Sequence, residues 1–217
     1  MEVAVIFDMD GVIVDNGKYH QKAWEEFCVR HKISFSEEKF KNKYFGRTNN
    51  QVLPELFDKD LSENEVKQLA DEKEKIYRCI YKPHLKAVSG LHEFLEELKT
   101  NNIPVAVATS APQENVDFVL KGLKIDKYIQ QVVTDAMVLR GKPHPEIYLK
   151  AAEMLNVAPP LCVVFEDSLS GTKSAYDSGA KVVAVTTTLP AEKHTHAHKI
   201  IVDFTSVNLR IVRQIVS

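Results

Sequence analysis

Ala4-Val5-Ile6-Phe7-Asp8-Met9-Asp10-Gly11-Val12-Ile13-Val14-Asp15 is an apolar run that stops at two aspartates spaced i, i+2, after which a glycine turns the chain. The run predicts a buried, parallel strand. Its carboxyl end, where the aspartates fall, is where open α/β sheets bind ligands. Two acids held that close repel each other, which calls for a bound cation or a raised pKa on one of them. A bare Asp-x-Asp also suits an acidic turn that merely caps a strand, so the remaining chain has to choose between the two.

The composition is that of an ordinary globular protein: 217 residues, 44% hydrophobic and 27% charged. That length allows one large domain or two smaller ones. A formal net charge of −2 gives no reason to expect nucleic acid or an anionic membrane as partner. Cys28, Cys79 and Cys162 are scattered and lack Cys-x-x-Cys spacing, which disfavours a disulfide framework or a zinc site and fits a reducing compartment. No apolar run approaches the roughly 20 residues that span a bilayer, and the chain opens directly on a strand rather than on a cleavable leader. A soluble, cytoplasmic protein is expected.

After Asp15 the character changes. From about Asn16 to Lys82 there is only helical spacing with many charges. Ala23, Trp24, Phe27, Cys28 and His31 share one helix face. Ser36 before Glu37-Glu38 predicts an N-cap, and Ser62-Glu63-Asn64-Glu65 has the form of a capping box. From Pro83 onward strands and helices alternate. Strands are expected at 104–108, 129–133, 161–165, 182–185 and 200–202, with a helix from about Ser170 that stops at Gly179. Alternation of this kind predicts a helix-flanked parallel sheet. The fold class is therefore α/β: a Rossmann-like core of residues 1–15 and 86–217, with a helical domain, residues 16–85, inserted after the first strand.

Three apolar runs end in polar residues of complementary chemistry. The first ends at Asp8 and Asp10, the second at Thr109 and Ser110, and the third at Glu166 and Asp167, while Lys142 sits in a Gly-Lys-Pro turn between the last two. If the strands are parallel neighbours, these groups meet at one sheet edge. Carboxylates, hydroxyls and a lysine together suit Mg²⁺ plus a phosphate. Ser110-Ala111-Pro112-Gln113 also reads as a capping box opening a helix whose N-terminus would face that anion.

With these four clusters in this order the chain resembles the haloacid dehalogenase superfamily over its whole length, and the insertion, opening with Tyr19-His20 and Ala23-Trp24, is similar to that of the beta-phosphoglucomutase-like branch. The resemblance implies that Asp8 is a nucleophile that carries an aspartyl-phosphate, and that Asp10 is the acid–base group. It implies Mg²⁺ held by Asp8, Asp10 (through its backbone carbonyl), Asp167 and Glu166, the last directly or through water. Thr109, Ser110 and Lys142 would hold phosphate. A carboxylate and a phosphate repel by about 4 kcal/mol per pair of unit charges at 4 Å and an effective dielectric of 20, so the lysine and the metal are needed to let Asp8 approach. The resemblance also makes residues 16–85 a cap, with Asn16, His20, Arg47 and Lys73 as candidate substrate contacts. Each of these four has a plainer reading as a solvated or turn-forming side chain. A glycine at position 46 would give Arg47 an unusual turn.

A phosphatase acting on a small phosphorylated metabolite, a sugar phosphate above all, is the favoured reading. A phosphosugar mutase of the beta-phosphoglucomutase type is the alternative. Mutases of that branch carry a serine and a lysine shortly after the second motif, whereas this chain has Ala111 and Pro112, whose side chains donate no hydrogen bond. A catalytically silent binding protein is a third reading, made less attractive by the intact Asp8, Asp10, Thr109, Lys142 and Asp167. A monomer is expected. His194, His196 and His198 alternate in a polar loop without a carboxylate pair or cysteine nearby and are read as loop residues; Cys162, Trp24 and Phe27 are read as core.

Overall fold

The computed structural model describes residues 3–44 and 47–217. The chain forms two compact units, one of Met1–Asp15 with Lys86–Ser217 and the other of Asn16–Leu85.

The larger unit is built on six parallel strands: β1 (Ala4–Phe7), β2 (Val105–Thr109), β3 (Gln131–Thr134), β4 (Cys162–Glu166), β5 (Lys181–Val185) and β6 (Lys199–Ile201). Their spatial order is β3-β2-β1-β4-β5-β6. Phe7 lies opposite Val107 on one side and Phe165 on the other, so the ends of β1, β2 and β4 are level. The strand order reverses between β1 and β4, which is the place where doubly wound sheets open a crevice. Helices α5 (Leu91–Thr100), α6 (Gln113–Gly122), α7 (Glu146–Met154), α8 (Leu169–Asp177) and α9 (Leu209–Val216) complete this unit.

Strand alternation explains how both sheet faces are covered. Ala4, Ile6, Ala106, Ala108, Cys162 and Val164 pack with Ile147, Tyr148 and Ala151 of α7 and Ala175 of α8. On the opposite face Phe7 stacks on Phe165 with ring centroids 5.2 Å apart and meets Phe94 of α5 and Phe204 at 6.1 and 5.8 Å. Four buried aromatic rings pack together beneath the carboxyl ends of β1 and β4. Because both faces are covered, β1, β2 and β4 read as unbroken apolar runs rather than as alternating ones. Every strand after β1 begins and ends within one or two residues of its expected place, and β3, at 131–134 against the expected 129–133, differs most.

The smaller unit is helical: α1 (Gly17–Arg30), the short α2 (Glu37–Lys39) running into a π-helical turn at Phe40–Tyr44, α3 (Asn49–Phe57) and α4 (Glu63–Tyr81). Trp24, Phe27, Cys28, Val52, Leu53, Ile76 and Tyr77 are buried. Ser36 Oγ accepts from Lys39 N at 3.2 Å. At Ser62 the reciprocal box forms: its hydroxyl accepts from Glu65 N at 3.3 Å while the Glu65 carboxylate accepts from Ser62 N at 2.9 Å. The glycine at position 46 lies outside the described residues. Among the described residues no helix is long and apolar enough to cross a membrane.

Candidate active site

Asp8 follows β1 directly, and its N–H donates to the Phe165 carbonyl of β4 at 2.9 Å. This fixes the backbone of Asp8 against the strand that delivers Glu166 and Asp167. The chain then folds tightly on itself: Gly11 N donates to Val14 O at 2.7 Å and Ile13 N to Met9 O at 2.9 Å. Gly11 has φ +83°, and a Cβ there would lie 1.9 Å from Asp167 Oδ2. The turn therefore needs glycine on two counts, backbone conformation and contact with a carboxylate. Asp10 sits inside this turn, partly exposed.

Lys142, in the loop between β3 and α7, reaches back to the sheet. Its ammonium donates to Asp8 Oδ1 and to Glu166 Oε1, both at 2.7 Å, and to the Ala108 carbonyl at 3.3 Å. The Tyr148 ring lies 4.9 Å from the same nitrogen, and the Tyr148 hydroxyl donates to Glu166 Oε1 at 2.9 Å. Glu166 Oε2 accepts from Asp167 N, Ser168 N and Ser168 Oγ at 2.8, 2.9 and 3.0 Å. Glu166 is fully buried, so this dense set of donors is what makes its charge tolerable there. Gly171, on the first turn of α8, completes the cradle: a Cβ at that position would meet Glu166 Oε1 at 1.6 Å. Asp167 is buried as well and accepts a short hydrogen bond from Thr188 Oγ1, while Thr187 Oγ1 donates to the Gly11 carbonyl.

Ligand atoms of Asp8, Glu166 and Asp167 lie within 4.8 Å of one another. Burial pushes the Asp8 carboxyl up to about 7; the Lys142 ammonium opposes that push and Glu166 adds to it. Burial and the charges of Glu166 and Asp8 likewise hold Asp167 well above the usual carboxylate range. Glu166 goes the other way. Burial raises it, but Lys142 and the surrounding donors more than offset that and hold it below its ordinary value. For Lys142 burial favours the neutral amine, but Asp8 and Glu166 override it and keep the ammonium charged. One cation among three carboxylates leaves the site with an unmet demand for positive charge.

Thr109, at the end of β2, is buried, and its hydroxyl accepts from Ala111 N at 3.1 Å. The capping box expected at 110–113 does not form. The N-cap of α6 is Pro112, without a side-chain cap, and Ser110 Oγ donates instead to Asp135 Oδ1 at 3.1 Å. The acceptor on the neighbouring strand's end competes successfully with the local backbone N–H groups for that hydroxyl.

In the smaller unit Asn16 Nδ2 donates to the Tyr77 hydroxyl at 2.6 Å, and His20 Nδ1 faces Lys73 Nζ at 3.0 Å. Arg47 stands apart from these. Its guanidinium donates to Gln51 O at 3.0 Å and pairs with Glu55 at 2.8 Å. His194 is buried and the His198 ring accepts from Val182 N at 3.0 Å. Among the described residues the only metal-capable cluster of His, Cys, Asp or Glu is Asp8, Glu166 and Asp167. Sequence reasoning did not single out Tyr148, Gly171, Thr187 or Thr188 for the site. Tyr148 and Gly171 carried helical-face and helix-start signals only, and the two threonines follow β5 with nothing local to mark them.

The family model of the haloacid dehalogenase-like hydrolases matches residues 5–185, a span that contains Asp8, Asp10, Thr109, Ser110, Lys142, Glu166 and Asp167. The chain belongs to the haloacid dehalogenase-like hydrolases. Within that family it is 37% identical over 180 residues to the phosphorylated carbohydrates phosphatase of Thermotoga maritima, covering 81% of each chain. It is 29% identical to the beta-phosphoglucomutase of Bacillus subtilis, over 84% of this chain and 82% of that one. A solved haloacid dehalogenase hydrolase of family IA, variant 3, from Entamoeba histolytica superposes with a TM-score of 0.91 at 30% identity, covering 100% of this chain and 99% of the other. The six-stranded Rossmann-like sheet is thus the fold of this family in this chain.

Proposed function

We propose that this haloacid dehalogenase-like hydrolase is a Mg²⁺-dependent phosphatase that acts on a small phosphorylated metabolite, a sugar phosphate, through a phosphoryl group carried on Asp8. The observation that carries the reading is the Lys142 ammonium held at 2.7 Å from both Asp8 and Glu166 at the level ends of β1 and β4. A nucleophilic carboxylate needs a fixed positive charge beside it to meet a phosphate dianion. Lys142, buried and charged, supplies one.

The residues fit a hard divalent cation. The donor set is all oxygen, three carboxylates lie within 4.8 Å, and the elevated Asp8 and Asp167 carboxyls mark where positive charge is wanted. Asp8, Asp167 and the Asp10 carbonyl would hold Mg²⁺. The Glu166 carboxylate already accepts five hydrogen bonds, which supports its acting through water while it anchors Lys142. When bound, the metal neutralises charge on the nucleophile and the transferring phosphoryl. Asp8 then attacks phosphorus, the bond to the leaving oxygen breaks, and Asp10 gives that oxygen its proton. Asp10, now ionised, takes a proton from water, which attacks the phosphoryl-aspartate and returns Asp8. Thr109 and the N–H groups after it would hold the phosphoryl oxygens, with Ser110 beside them. The helical unit, residues 16–85, would act as the cap, with Asn16, His20 and Lys73 on its substrate side. Arg47, tied to Glu55, must release that partner before it can reach a substrate. The setting proposed is a monomer in the cytoplasm.

The test is a panel of hexose 1- and 6-phosphates with Mg²⁺, followed for free phosphate and for isomer, with and without a hexose bisphosphate. Phosphate release that needs no bisphosphate is expected, and Asp8→Asn should abolish it while the circular dichroism of the fold is kept. Isomerisation stimulated by bisphosphate with negligible phosphate loss would replace the phosphatase with the mutase.

A further inference from the structure

In the helical unit Asn49, Glu74, Lys73 and His20 form a buried polar chain. Glu74 Oε1 accepts from Lys73 Nζ and from Asn49 Nδ2, both at 2.8 Å. Lys73 Nζ in turn lies 3.0 Å from His20 Nδ1. Lys73 and Glu74 are almost fully buried, at 3% and 5% exposure. The His20 ring stacks on Tyr77 with centroids 3.9 Å apart and planes 8° from parallel, which fixes the plane in which both ring nitrogens lie. Lys73 is further placed 5.2 Å from the Trp24 ring and 5.9 Å from that of Tyr77, both favourable to a cation.

We infer that Glu74 is a positioning residue that keeps Lys73 charged and thereby holds His20 neutral, with its proton on Nε2. The logic is one of donors and acceptors. An ammonium only donates, so the nitrogen facing it must accept, and the imidazole proton has to sit on the other nitrogen. The alternative, a neutral lysine beside a histidine cation, would leave Glu74 without the ammonium that offsets its burial. At the opposite edge of the ring, His20 Nε2 lies 3.5 Å from the Asn16 amide. At 3.5 Å that contact is too long to compete with the 3.0 Å Lys73 contact in setting the tautomer. His20 is thus a fixed hydrogen-bond donor and not a proton carrier. Its importance to turnover rests on the proposed cap role of residues 16–85, whereas the position of its proton does not.

Long-range proton–nitrogen correlation spectra of the isotope-labelled full chain at neutral pH read that proton directly, with His20 assigned by a His20→Gln variant. The expected spectrum has a protonated Nε2 and an unprotonated Nδ1. A His20 imidazolium, or a proton on Nδ1, overturns the inference. In Glu74→Gln the pattern should be lost and kcat for phosphate release should fall about tenfold with KM little changed. Retention of both the wild-type pattern and the wild-type kcat overturns the role of Glu74. Lys73→Met, which keeps an apolar stem but removes the ammonium, should lose the Nε2–H preference by itself and serves if Glu74→Gln does not fold. The spectra require no substrate, so a failed phosphatase assay counts against the proposed function alone.

Discussion

Two glycines show how closely the carboxylates of this site are fitted. Gly11 and Gly171 each stand where a Cβ would fall inside a carboxylate, at 1.9 Å from Asp167 and 1.6 Å from Glu166. Gly171 is the cleaner probe, because its φ is not in the left-handed region and its requirement is purely one of space. Gly171→Ala is expected to destabilise the larger unit by about 1–3 kcal/mol, the usual cost of overpacking. It should also loosen Lys142, since Glu166 must move to admit the methyl. Thermal unfolding and phosphate release measured on the same sample check both parts, and an unchanged Tm would show that Glu166 has room the structure does not give it. The residue scale is also where sequence reading stopped short. Lys142 could be named from its Gly-Lys-Pro turn. Tyr148, which touches both Lys142 and Glu166, looked like one more apolar position of a helix.

At the scale of elements, local rules served well where local groups satisfy one another. Ser62 and Glu65 form their capping box because the two groups are three residues apart and exposed, and Lys59, which also reaches Glu65, takes Oε1 at 3.3 Å and leaves Oε2 to Ser62 N. Ser62→Ala should therefore cost about 1 kcal/mol, read as a lower midpoint in denaturant with α4 otherwise intact; a loss of several kcal/mol would mean the serine does more than cap. Ser110 shows the opposite case. Its sequence has the same S-x-x-Q form, yet the hydroxyl goes to Asp135, 25 residues away in sequence. Sheet order brings the ends of β2 and β3 side by side, Thr109 opposite Thr134, and burial raises the Asp135 carboxyl, so a donor to it is valuable. A capping motif is decisive only while its side chain has nowhere better to donate.

For the whole molecule, charge links stability to the ligand. Without metal the buried Asp8 carboxyl, raised from 3.8 to about 7, ionises more readily in the unfolded chain than in the folded one. It therefore costs folded-state stability as pH rises from 3.8 through about 7. Mg²⁺ at about a hundred times its Kd should add about 2.7 kcal/mol, or roughly 5–10 °C in the Tm of the larger unit. The shift should be greater above about pH 7 than below about pH 5, and Asp167→Asn should remove most of it. Calorimetry with and without chelator at the two pH values checks the sign; a shift that is equal at both would detach the metal from these carboxylates. By itself the sequence determined the parallel α/β class, the strand-end groups Asp8, Thr109, Glu166 and Asp167, and the family, because apolar runs, helical spacing and short motifs are written in neighbouring residues. Only the tertiary structure decided that Lys142 bridges Asp8 and Glu166, that Tyr148, Thr188 and Gly171 shape their surroundings, and that Glu74 stands behind Lys73 and His20. Those pairings join residues between which the chain carries no periodic signal. They come from which strand or helix packs beside which, a choice made by burial of the whole sheet and helix faces and not by any stretch of sequence alone.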